Sequence, residues 1–120
     1  MDTYQHSAHL LKYMAHPMRL QILDRLRAAD ECVCHLAAVL AKPQPYVSQQ
    51  LAVLRKAGLI CDRKDGTHIY YGLAAKRDGR EVSAVLDAVL PAPADAARGH
   101  KHVAGCCCPL CAAPNERSVP

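Results

Sequence analysis

The sequence predicts a mainly α-helical fold with a small β-hairpin wing, a winged helix-turn-helix, and three observations carry that expectation. Two short stretches of helical periodicity are joined by a tight break at Lys42-Pro43-Gln44, the pattern of a helix-turn-helix. Two β-prone runs follow at once, Leu59 to Lys64 and His68 to Leu73, separated by Asp65-Gly66, a strong short-range signal for a two-residue hairpin. A last helical stretch, about Gly79 to Leu90, carries Val82, Val85, Leu86 and Val89 on one face, and in so small a protein that face needs cover.

The elements follow in order. Tyr4, Ala8, Leu11, Tyr13 and Met14 outline a first amphipathic helix that must end before Pro17. Pro17 suits the first position of the next helix, whose stripe is Met18, Ile22, Leu23 and Leu26. A third helix is expected to begin between Asp30 and Cys34 and to run to Leu40 or Ala41, with Val33, Leu36, Ala37 and Leu40 on a single face. Pro45 restarts the chain as a helix with Val47, Leu51 and Leu54 facing inward, and Gly58 closes it.

Periodicity ends at Pro91-Ala92-Pro93. Residues 1–90 therefore read as one domain, and residues 91–120, rich in Pro, Ala, Gly, His and Cys, as a flexible tail. No internal repeat is visible. A length of 120 residues, 51% of them hydrophobic, suffices for one modest core. No apolar run approaches the roughly 18 residues of a membrane span, and the opening residues Met1 to His6 lack the basic and apolar regions of a signal peptide, so a cytoplasmic location without membrane partners is expected. In that compartment the seven cysteines read as thiolate chemistry and not as a disulfide framework.

The net charge of +4 is mild, and its location matters more than its size. The opening turns of the second helix of a helix-turn-helix reach base edges in the major groove. Gln44, Tyr46, Ser48, Gln49 and Gln50 occupy that segment; Gln can read adenine bidentately, and Ser or Tyr can bind a base or a phosphate. Arg55 follows on the same helix, and Arg63, Lys64 and His68 lie in the hairpin, where they face phosphates or the minor groove. Double-stranded DNA is the expected partner.

Cys32 and Cys34 would point about 200° apart on a regular helix. At a helix start the first turn need not be helical, and its partial positive charge favours thiolate over thiol, so there the pair can share an ion. Soft thiolates select As(III), Cd(II), Pb(II), Zn(II) or Cu(I) over Mg(II) or Ca(II). The tail offers Cys106, Cys107, Cys108 and Cys111 after His100 and His102. It can complete the Cys32/Cys34 site in its own or the opposite subunit, or fold around a separate ion. Cys61, beside Ile60, reads as a small buried hydrophobe, and His6, His9, His16 and, as the alternative to a DNA contact, His68 as solvated or capping residues.

These segments resemble the ArsR/SmtB family of dimeric metal-sensing repressors. The resemblance lies in His16-Pro-Met-Arg-Leu-Gln-Ile-Leu, Glu31-Cys-Val-Cys-His-Leu-Ala, Tyr46 to Ile60, and Asp62 to Leu73, and covers about residues 8–90. It implies a homodimer built on the first and last helices, with Leu11, Val82, Val85, Leu86 and Val89 at the interface. It also implies a palindromic operator that is released when an inducer binds, with As(III), Cd(II) and Pb(II) favoured. Arsenic-sensing members usually carry Cys-x-Cys-x-x-Cys, and here Ala37 stands at the third cysteine and His35 at the usual Asp. The family's zinc site on the last helix would fall on Asp78, Glu81 and Asp87 without a histidine and is not expected. The competing readings are a thiol redox sensor and an ion carrier built on the same fold. With no Gly-rich phosphate loop and no HExxH pair, an enzyme is not expected.

Overall fold

The computed structural model describes residues 2–74 and 79–92. The elements are α1 (Thr3–Met14), α2 (Pro17–Ala28), β1 (Glu31–Cys32), α3 (Val33–Leu40), α4 (Gln44–Ala57), β2 (Ile60–Asp65), β3 (His68–Leu73) and α5 (Gly79–Val89). Asp2 opens α1 with a capping box: its Oδ1 accepts from Gln5 N at 2.7 Å, and Gln5 Oε1 accepts from Asp2 N at 3.0 Å. His16 does the same work for α2, its Nδ1 accepting from Met18 N at 3.1 Å ahead of Pro17.

The helix-turn-helix is α3 and α4. α3 ends in a left-handed residue, Ala41 at φ 55°, and Lys42 N donates to Ala37 O at 3.0 Å. Gly58, at φ 89°, ends α4 in the same conformation, where glycine avoids the steric cost of a Cβ. Ile22, Leu23, Leu36 and Leu59 form the buried centre into which α4 inserts Val47, Leu51 and Leu54.

The sheet has three strands in the order β1-β3-β2, all antiparallel. β1 was absent from the sequence expectation. Two residues are too few to show a period, and only pairing with β3, Glu31 to Tyr71 and Cys32 to Tyr70, reveals the strand. The hairpin turn also sits one residue later than expected. Asp65 pairs with His68, so the loop residues are Gly66 and Thr67, and Gly66 at φ 66° takes the first central position, as in a type II′ turn.

Two further expectations need correction. Val82 and Leu86 are 3% and 0% exposed within the single chain, because α5 lays them on the protomer's own core, so they are not surface available to a partner. Leu11 and Val89 remain exposed and Val85 half-buried. Cys61 is exposed, since β2 turns only Ile60 inward before it leaves the core to become the wing.

Candidate nucleic-acid interface and thiol site

Gln44, Ser48 and Gln49 are exposed along the first turns of α4, with Tyr46 half-buried between them. The inward stripe of Val47, Leu51 and Leu54 puts Gln49 on the opposite side and Ser48 at its flank, while Gln44 is exposed as the first residue of the helix. Gln50 departs from the group. Its Oε1 accepts from Arg19 Nε at 3.0 Å, and Arg19 in turn lies over the Tyr13 ring at 5.9 Å, so Gln50 ties α4 to α2 and α1. Arg19 carried no signal in the sequence, because its partner is 31 residues away.

In the wing, Lys64 is exposed. Arg63 is held on three sides: 3.4 Å from Asp30 Oδ2, 3.9 Å from Asp65 Oδ2, and 5.1 Å from the centre of the Tyr70 ring. Asp30 fits there because position 72 is glycine; a Cβ would collide with the Asp30 carboxylate. Arg55 lies 3.9 Å from Asp62, an exposed pair of small energetic weight. His68 is half-buried, with Nδ1 3.3 Å from Thr67 Oγ1.

The two cysteines of the Cys-Val-Cys stretch come together. Cys32 is the N-cap of α3 with extended backbone, φ −88° and ψ 162°, and Cys34 lies in the first helical turn. That change of conformation turns two side chains that a continuous helix would separate toward each other, and their Sγ atoms are 3.2 Å apart, without a disulfide. Both are buried at the helix N-terminus. Among the described residues no cluster of three or more His, Cys, Asp or Glu stands ready to hold a cation. Cys106, Cys107, Cys108 and Cys111 lie outside the described residues.

Beside the sulfurs is an open cleft of about 280 Å³, walled by Val33, by Gln44 of α4, and by Thr67, His68, Ile69 and Tyr71 of the wing. On the inner side, Glu31 and His35 are both buried, with Oε1 and Nε2 3.4 Å apart. Burial pushes the Glu31 carboxyl up to about 7; Arg25 opposes the shift and Asp30 adds to it. Their adjacency to the cysteines was legible, but their burial was not, since it depends on β3 covering β1.

The profile of the bacterial regulatory protein arsR family matches residues 16–61. The biofilm growth-associated repressor of Agrobacterium fabrum is 42% identical over 84 residues, covering 70% of this chain and 71% of its own length. The chain belongs to the arsR family. This arsR-family chain is also 40% identical to the HTH-type transcriptional repressor SmtB of Mycobacterium tuberculosis, over 72% of its own length and 62% of the relative's, so it spans less than two thirds of that relative. The arsenical resistance operon repressor of Escherichia coli is 42% identical over 66 residues, 54% of this chain and 56% of that one. Among solved structures, HlyU of Vibrio cholerae superposes with a TM-score of 0.64 at 31% identity, covering 74% of this chain and 98% of that one. The homodimeric winged helix-turn-helix DNA-binding domain Mb0332 of Mycobacterium bovis superposes with a TM-score of 0.63 at 29% identity, over 71% and 79%. The arsR-family fold is that of a DNA-binding regulator and not of an enzyme, and among the described residues no helix is long and apolar enough to cross a membrane.

Proposed function

We propose that the protein is a transcriptional repressor that binds double-stranded operator DNA as a homodimer in the cytoplasm. It is released when a thiophilic ion, As(III), Cd(II) or Pb(II) before Zn(II) or Cu(I), binds Cys32 and Cys34. The observation that carries the reading is the 3.2 Å contact of the two sulfurs at the start of α3, the helix that leads directly into the reading helix α4. The likeness to an arsenical resistance operon repressor and to a homodimeric DNA-binding domain supports it. Gln44, Tyr46, Ser48 and Gln49 read bases, and Lys64, Arg55, Arg63 and His68 meet the backbone. Thiolates from Cys106, Cys107, Cys108 or Cys111 complete the ion's coordination, because two thiolates are too few for these ions. An ion that binds the DNA-free repressor more tightly lowers operator affinity by the same factor, and a coupling of about 1–3 kcal/mol is enough to switch a promoter.

The test is operator binding by fluorescence anisotropy under reducing conditions, titrated with arsenite, Cd(II), Pb(II), Zn(II) and Cu(I). Release by at least one ion is expected, and it is abolished in Cys32→Ser/Cys34→Ser while that variant still binds the operator. A double variant that is released at the same ion concentration as the parent chain removes the pair from the mechanism. The same sulfur contact also supports a second reading, a redox sensor in which peroxide joins Cys32 to Cys34 as a disulfide and is itself reduced to water. Release by peroxide in the presence of a chelator, reversed by a thiol reductant, selects that reading.

A further inference from the structure

Resting on the reading of the chain as an operator-binding repressor, we propose that the corner where α1 meets α2 is a second phosphate-binding surface. Lys12 and Arg19, gathered on the Tyr13 ring, bind the DNA backbone that lies across the major groove from the wing.

The place of the corner follows from α4. A helix with its side chains is about 10–12 Å across, and the major groove is about 12 Å wide, so a helix seated there has a phosphate backbone along each flank. Gln50 and Arg55 are five residues apart in α4, which sets them about 140° apart around its axis, with the exposed Gln49 facing outward between them. Arg55 is 3.9 Å from Asp62 of β2, so the wing lies on its flank. Gln50 accepts from Arg19 Nε at 3.0 Å, so the start of α2 lies on the other. α1 runs down that second flank. His9 Nε2 donates to Ala57 O at the end of α4, at 3.0 Å, and one turn on the Tyr13 carbonyl accepts from Arg19 Nη1 at 3.4 Å. These bonds fix Lys12, Tyr13 and Arg19 at the level of Gln50, beside the reading face.

The charge of the corner selects an anion. Lys12 Nζ is 5.5 Å, and the Arg19 guanidinium carbon 5.9 Å, from the centre of the same Tyr13 ring. A tyrosine ring attracts a cation at that range, but two like charges on one ring repel each other, and a polyanion relieves that repulsion. Neither cation is in an ion pair among the described residues. The carboxylates of residues 2–74 have other roles: Asp2 caps α1, Asp24 joins Asp87 on Arg27, Asp30 and Asp65 flank Arg63, Asp62 faces Arg55, and Glu31 is buried beside His35. Arg19 gives Nε and Nη1 to protein oxygens, and among the described residues no hydrogen bond takes its Nη2. A guanidinium oriented by two bonds, with N–H groups left over, suits a phosphate oxygen. Lys12, exposed at the end of α1, adds a point charge beside it.

The experiment measures the affinity of the full chain, by fluorescence anisotropy across a salt series, for a duplex that the parent chain selects from random DNA. Each phosphate contact contributes about 0.9 to the slope of log affinity against log salt, and a homodimer makes each contact twice, so Lys12→Gln and Arg19→Gln are each expected to flatten the slope by about 1.8. Arg19→Lys retains the charge and is expected to keep the parental slope. Neutral methylphosphonates placed singly along both strands locate the partners. The positions that cease to matter in Arg19→Gln are expected on the backbone across the major groove from those that cease to matter in Lys64→Gln. Weaker binding by Arg19→Gln at the parental slope is what a merely structural role predicts, and it overturns the inference. So does loss of the same methylphosphonate positions in the corner and wing variants. Should Arg19→Gln lose its helical circular dichroism, Lys12→Gln, which alters an exposed side chain, decides by the same slope and the same positions. If the parent chain selects no duplex, the repressor reading itself fails; if it selects one and the corner variants keep its slope, this inference fails alone.

Discussion

Glu31 is a carboxyl whose proton is held by burial, beside His35 and under the sheet. Its pKa of about 7 in the fold, against 4.5 ordinarily, means that the folded chain binds the proton more tightly than the unfolded one. The associated stability is present below about pH 4.5 and is lost as pH rises to about 7. Glu31→Gln keeps the shape without the charge. It is expected to match the parent chain near pH 5 and to exceed it at pH 8 by about 2–3 kcal/mol in urea denaturation; parallel curves at the two pH values would show that the carboxylate ionises without penalty. Neighbouring glutamines separate in the same way. Gln49, exposed on α4, is expected to govern sequence preference, so Gln49→Ala relaxes discrimination by about 1–3 kcal/mol at one base position. Gln50→Ala, which removes the partner of Arg19, lowers stability by about 1 kcal/mol and leaves sequence preference unchanged in competition assays with mutated operators.

The helices were legible because each carries a stripe of period 3.6 bounded by a cap or a proline: Pro17 and Pro45 near their starts, Gly58 at an end. The sheet was legible only where it is local. β2 and β3 announce themselves by alternation around a turn, whereas β1 exists only through a partner about 40 residues later in the chain. That missed strand is what gives Cys32 its extended backbone: a non-helical start that brings Cys32 and Cys34 together was expected, and the strand pairing that imposes it was not. The surface fate of Cys61 was misread for a related reason, because a strand next to the core does not continue inside it when it becomes a wing. The turn between α3 and α4 is a place where the sequence is not at its optimum. Ala41 holds φ 55°, a conformation that costs an L-residue roughly 1–2 kcal/mol and glycine little. Set against the extra unfolded-state freedom of glycine, Ala41→Gly is expected to raise stability by about 0.5–1 kcal/mol. Chemical denaturation checks it, and a loss of stability would mean that the alanine methyl makes contacts that outweigh the strain.

At the scale of the whole molecule, the apolar surface of one protomer points to its assembly. α1 and α5 both pack on α2, and their outer faces leave Leu11 at 53% and Val89 at 61% exposed, with Val85 half-buried and Tyr4 exposed. The Arg27 side chain, oriented by Asp24 of its own helix, bonds Asp87 and the Pro91 carbonyl and so ties this end of α5 to α2. A homodimer that covers Leu11 and Val89 sets two reading helices about one duplex turn, 34 Å, apart. Charges placed in the stripe and in the core then have different consequences. Leu11→Lys/Val89→Lys is expected to give a folded monomer by sedimentation, with unchanged helical circular dichroism and much weaker binding to a two-half-site operator. Leu86→Lys, which places a charge at a position with no exposure, is expected to give an unfolded chain. If the double variant remains a dimer of full operator affinity, the two-fold contact lies on another face, and the apolar residues of α1 and α5 are surface without a partner.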